Sequence, residues 1–110
     1  MAVPEKWKCV GCILGLKQYE ELRKGMGETI RKRSAEGVTG FRVALFSAIS
    51  GLRDDGCISE ETYRRAREIA SRIERLAKEG KWDEAYSEYA RLPGTLELAE
   101  ETCSRVCRRR

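Results

Sequence analysis

Residues 59–80 read SEETYRRAREIASRIERLAKEG, and this stretch decides the fold. Ser59 can cap a helix, Glu60 and Glu61 complement the positive end of its dipole, and Ile58 and Tyr63 stand at the two positions of a hydrophobic staple. Tyr63, Ala66, Ile69, Ala70, Ile73, Leu76 and Ala77 then recur at steps of three and four, which puts them on one side of a helix that Gly80 stops.

Working toward the N-terminus, Arg53-Asp-Asp-Gly56 is a turn signal. Before it, Phe41, Val43, Ala44, Leu45, Phe46, Ala48, Ile49 and Leu52 crowd a segment that is apolar nearly all round, so it is expected to be the central and most buried helix. Leu16, Tyr19, Leu22, Met26 and Ile30 form the stripe of a first helix from about Ile13 to Ala35. Gly25 and Gly27 predict a bend or break within it, and Ser34-Ala-Glu-Gly37 its end, with Gly37 just past the last turn.

Working toward the C-terminus, Trp82, Ala85, Tyr86, Tyr89 and Leu92 make the apolar face of a short fourth helix ended by Pro93-Gly94. Thr95 can cap a fifth, on which Leu96, Ala99, Cys103, Val106 and Cys107 share a stripe. No segment alternates with period two over a useful length. The fold class expected is all-α, a compact bundle of about five helices whose N- and C-terminal segments are tied by cysteines. The 110 residues suit one helical domain, with a cysteine-bearing segment over 1–12 and a basic tail over 108–110.

Gly80-Lys-Trp-Asp-Glu-Ala-Tyr86 resembles the helix starts of helical-repeat adaptors, although a single copy cannot make a solenoid. Leu52 to Tyr63 resembles the short helical hairpin of bacterial oligomerisation modules, and helix capping alone explains the same pattern.

Charged residues make up 36% of the chain, asparagine is absent and Gln18 is the sole glutamine. This bias suits high temperature, where amides deamidate and ion pairing becomes more favourable, so a hyperthermophilic archaeon or its virus is the expected source. The longest apolar run, Val43 to Ile49, is far short of the roughly 20 residues of a membrane span, and no secretion signal is read at the N-terminus. The expected location is the cytoplasm, or the virion if the chain is viral.

The chemistry concentrates in cysteine. Cys9-x2-Cys12 and Cys103-x3-Cys107 lie at the two ends of the chain, and Cys57 between them reads as a small filler. Cys103 and Cys107 are one helical turn apart, while Cys9-Val-Gly-Cys12 suggests the tight loop of a metal knuckle. The four thiols could form two disulfides, hold zinc or an iron–sulfur cluster, or lie buried and free. About 90 residues separate the pairs, far beyond the usual interval of a zinc ribbon, and closing so long a loop favours disulfides. A thiol–disulfide enzyme is disfavoured, since such motifs follow a strand.

With no histidine there is no imidazole base and no Ser-His pair, and phosphate-binding glycine loops are absent. Glu20, Glu21 and Glu28 read as a solvated face paired with Lys17, Lys24 and Lys32. No catalytic residue and no small-molecule substrate are expected. Net charge is +4, with Lys24, Arg31, Lys32 and Arg33 at the end of helix one and Arg108, Arg109 and Arg110 in the tail. On helix three, the i,i+4 pairs Glu60–Arg64, Glu61–Arg65, Glu68–Arg72 and Glu74–Lys78 are expected to neutralise much of the arginine charge.

The leading expectation is a non-catalytic binding protein that engages nucleic acid through that basic set. The alternatives are a protein–protein module, homo-oligomer, ribonucleoprotein subunit or virion component using Trp82, Tyr86 and Tyr89, and a metal- or redox-sensing regulator using the thiols. A helix-turn-helix over Val38 to Ala77 is disfavoured by its long turn and apolar first helix.

Overall fold

The computed structural model describes residues 5–107, with side chains described from Cys9 onward. The expected basic tail, residues 108–110, lies outside the described residues. Five α-helices follow in order: α1 Glu5–Arg31, α2 Ala35–Asp54, α3 Glu60–Lys78, α4 Trp82–Tyr89 and α5 Thr95–Thr102, the last continued by a π-helical turn Cys103–Cys107. Among the described residues there is no strand.

The α3 start forms as its sequence dictates. The Ser59 hydroxyl accepts from the Thr62 N–H at 3.1 Å, and Ile58 and Tyr63 are both buried. A further cap comes from outside the helix. Glu101 of α5 accepts from the Ser59 N–H at 2.6 Å and from the Thr62 hydroxyl at 2.7 Å. That carboxylate does from a distance what a glutamate at the third helical position does in a capping box.

Turns are made by left-handed residues closing helix ends. Gly56 and Gly80 have φ of 78° and 75°, and around each the paired backbone bonds of a Schellman motif satisfy the last carbonyls. Arg33 does the same for α1 at φ 55°, with its N–H donating to Ile30 and the Ser34 N–H donating to Thr29. This corrects the expected end of helix one. Ser34 is the N-cap of α2, its hydroxyl accepting from the Gly37 N–H at 3.1 Å, so the residues read as a stop are the next helix's start.

Four other expectations change. First, α1 begins before the Cys9-Val-Gly-Cys12 motif, which is therefore helical and not a loop. Second, α1 continues through Gly25 and Gly27, where a Cβ would lie 2.2 Å from the Phe41 ring and 2.7 Å from the Tyr89 hydroxyl. These glycines admit two rings against the helix backbone. Third, α2 is not the most enclosed element, because Gly40, Val43, Ser47 and Gly51 face solvent. Its apolar look came from small residues, which lack charge without supplying buried area. At the start of α5 the N-cap is Gly94 and not Thr95, with no side-chain cap bond.

The spine is α1, about 40 Å long at 1.5 Å per residue. Helices α2, α4 and α5 all pack against it, and α3 closes the layer between α2 and α4. The core runs from Cys12, Leu16 and Tyr19 through Leu45 and Ile49 to Ile69 and Ile73, with Leu92 and Leu98 sealing the α4–α5 side. The buried Tyr19 hydroxyl donates to the Pro93 carbonyl at 2.6 Å, anchoring the α4–α5 connection to α1. The result is elongated, 49 × 20 × 18 Å.

Candidate functional site

Two disulfides organise one end of the molecule. Cys12 and Cys57, both fully buried, are bonded with Cα atoms 5.7 Å apart. Cys9 and Cys107, half-buried, are bonded with Cα atoms 5.1 Å apart. Because Cys9 and Cys12 are three residues apart on a helix, both lie on the inner side of α1, one toward the last turn of the chain and the other toward the α2–α3 turn. The Thr102 hydroxyl donates to the Cys57 carbonyl at 3.1 Å, so α5 also rests on that turn.

This pairing corrects two sequence readings. Cys57 is a disulfide partner and not a filler, and Cys103 is a free, exposed thiol. Helix periodicity alone placed Cys103 and Cys107 together, but the π-helical turn rotates the last residues, leaving Cys107 against Cys9 and Cys103 outside. The zinc or iron–sulfur alternative also falls, since three of the four proposed ligands are spent in disulfides. Among the described residues, no cluster of three or more cysteine or acidic side chains could hold a metal ion.

The basic residues divide. Lys24 pairs with Glu20 at 3.6 Å and Arg31 with Glu28 at 3.8 Å, while Lys32 and Arg33 are exposed, with no ion pair among the described residues. Cys107 is bonded to Cys9, so it sits roughly 35 Å along α1 from Lys32, and the other half of the expected patch, Arg108–Arg110, lies outside the described residues.

The sequence expectation for the outer face of α3 was that i,i+4 pairs neutralise much of its arginine charge. Glu60–Arg64 and Glu74–Lys78 pair within the helix as expected, at 3.6 and 3.7 Å. Arg65 instead pairs with Glu97 of α5, and Arg72 with Glu88 of α4 at 2.8 Å. Arg64, Arg67, Ser71, Arg72 and Arg75 line an open groove of about 450 Å³ in which Glu68 is the one carboxylate. Arg67 also lies over the rings of Phe46 and Tyr63, at 5.2 and 6.0 Å. Neither Arg67 nor Arg75 has an ion pair among the described residues. At the α3 C-terminus, Lys78 shares a second groove with Ala35, Glu36 and Thr39, next to the Lys32–Arg33 turn.

Of the three aromatic residues proposed for a partner, Trp82 and Tyr89 pack against the core. The Tyr89 hydroxyl donates to the Arg23 carbonyl at 2.8 Å, and Arg23 stacks over its ring. Tyr86 alone is open to solvent, at 51%. Buried titratable groups are structural too. Burial pushes the Tyr19 hydroxyl far above the usual tyrosine range. Burial also works to raise the Glu74 carboxyl, but the Thr39 hydroxyl, Arg42 with its Nε at 2.9 Å, and Lys78 prevail and hold it below the usual carboxylate range.

No helix among the described residues is long and apolar enough to cross a membrane. The chain matches no known protein family, no curated protein and no solved structure.

Proposed function

We propose that this chain is a small, non-catalytic helical binding protein that holds nucleic acid along the outer face of α3. The observation that carries the reading is the groove lined by Arg64, Arg67, Arg72 and Arg75, of which Arg67 and Arg75 have no ion pair among the described residues, while Arg64 and Arg72 pair with Glu60 and Glu88. Arg67 and Arg75 are eight residues apart, about 12 Å along the helix, and the side chain between them is the small hydroxyl of Ser71. Planar guanidinium groups suit phosphate oxygens, and Arg67 is held in place by the Phe46 and Tyr63 rings beneath it and by the Tyr63 hydroxyl, which accepts from its Nη1 at 3.4 Å. Lys78 and the exposed Lys32 and Arg33 extend the same polarity past the end of α3. The charge-rich, amide-poor composition and the paired disulfides support a hyperthermophilic source.

The test is a fluorescence-polarisation titration with single-stranded and duplex oligonucleotides over a range of salt. Affinity should fall log-linearly with salt, and the double variant Arg67→Glu/Arg75→Glu should weaken binding and reduce the slope by about two, one per phosphate contact. Salt-independent binding, no binding at low salt, or wild-type affinity in the double variant would overturn the reading.

A further inference from the structure

The groove on α3 has two unlike walls. Toward α4 it is acidic. Glu88 of α4 pairs there with Arg72 at 2.8 Å, Glu68 stands one turn before Arg72 on the same flank of α3, and Glu84, one turn before Glu88, is exposed. Toward α2 the wall is aromatic. Three arginines and two rings alternate along it: Arg42 lies 4.9 Å from the Phe46 ring, Arg67 lies 5.2 and 6.0 Å from Phe46 and Tyr63, and Arg53 lies 4.0 Å from Tyr63. The two outer arginines are neutralised, Arg42 by Glu74 at 2.9 Å and Arg53 by Asp54 at 3.1 Å. Arg67, in the middle, has no ion pair among the described residues. Phe46 is half-buried, and Val43, one turn before it, is 54% exposed, so this wall reaches solvent.

Helix α3 also lies level with its neighbours. Helices α2 and α4 pack on its two sides, and the Arg42–Glu74 and Arg72–Glu88 pairs tie it to both. A helix with its side chains is about 10 Å across and packed helices are about 8–10 Å apart, so three side by side present a face of roughly 30 Å. The major groove of duplex DNA is about 12 Å wide. A duplex therefore cannot admit α3 and could offer it only a phosphate backbone, with its second backbone lying over the carboxylates of α4 or the apolar wall of α2.

We propose that the nucleic acid held on α3 is single-stranded, with phosphates on Arg67 and Arg75 and a base turned toward α2 to stack on the Phe46–Arg67 pair. The proposal rests on the nucleic-acid reading above and names its substrate class. Unpaired bases present π faces that a duplex keeps stacked inside, and they stack on aromatic rings and guanidinium planes alike. Charge complementarity gives the backbone to the two arginines without ion pairs. The base falls to the wall that offers a ring, away from the α4 carboxylates.

The test is fluorescence polarisation with three labelled probes: a short oligodeoxythymidine, the same strand paired with oligodeoxyadenosine, and a strand of equal length made of abasic sites. At physiological salt the thymidine strand should bind more tightly than the duplex, and about fivefold or more tightly than the abasic strand. Phe46→Leu keeps an apolar side chain but removes the ring. It should weaken binding of the thymidine strand by a similar factor, with the salt slope unchanged, and leave the abasic strand unaffected; Phe46→Trp should bind as wild type does. Circular dichroism verifies that both variants remain folded, and the abasic comparison needs neither. A duplex bound as tightly as the single strand, an abasic strand bound as tightly as thymidine, or a Phe46→Leu variant that treats those two strands alike would overturn this proposal and leave the wider nucleic-acid reading standing. Absence of binding by all three probes at low salt would overturn both.

Discussion

Gly25 and Gly40 sit in the same helical hairpin and answer one question with opposite signs. By helix propensity alone, replacing either glycine with alanine should stabilise by about 1 kcal/mol. At Gly40 a Cβ meets nothing within 4 Å, so Gly40→Ala should deliver about that gain. At Gly25 the new methyl falls 2.2 Å from the Phe41 ring, and forcing the ring aside costs about 1–3 kcal/mol, enough to reverse the sign. Chemical denaturation of the two variants checks both. Glu74 supplies the pH-dependent counterpart. Because its folded pKa is held below the unfolded one, its contribution to stability is complete above the unfolded carboxylate range and is lost as the pH falls through the lowered folded value. Glu74→Gln should therefore be less stable than wild type near neutrality, and the difference should close in acid; a constant difference across that range would contradict the Arg42–Glu74 account.

At the scale of elements, α3 depends on α5 for its first turn. Removing the Glu101 carboxylate leaves the Ser59 N–H without its partner, so Glu101→Ala should cost about 1–2 kcal/mol, as loss of a good cap does, with Glu100→Ala as a near-neutral control. Thermal melts of the pair measure it. The α3 body, its cap and its stop could be read from the chain because they are local: one serine, two glutamates, a repeating apolar stripe and a glycine act within a few residues of each other. The Glu101 contact could not, since it joins residues 42 apart in sequence. The same divide separates the ion pairs. Glu60–Arg64 follows from helical spacing, whereas the selection of Glu97 by Arg65 and Glu88 by Arg72 depends on where α5 and α4 dock. The α1–α2 boundary was misread for a related reason, because Ser34 and Gly37 can serve equally as a stop or as a start. Arg33 decides it by taking the left-handed conformation usually left to glycine.

Across the whole molecule, the sequence indicated that sulfur joins the chain's two ends, but not which thiols pair. Cys12 with Cys57 needs the α2–α3 turn brought beneath α1, and Cys9 with Cys107 needs the last turn to leave the α-helical path. Neither displacement is encoded at short range. The candidate binding face was harder still, because the partner Arg72 takes depends on where α4 docks, and the expected neutralisation by Glu68 does not form. Closing loops of 45 and 98 residues constrains the unfolded chain by about 4–5 kcal/mol each in the chain-entropy account, a large part of a small domain's stability. The pairing is therefore the claim on which the joining of the chain's two ends to the α2–α3 turn and the exposed thiol both rest. Peptide mapping of the unreduced protein, after alkylation of its free thiols, tests it most directly. The account predicts Cys9 linked to Cys107, Cys12 linked to Cys57, and neither alkylated. A Cys9–Cys12 or Cys103–Cys107 link within one chain, or an alkylated Cys57, would contradict it.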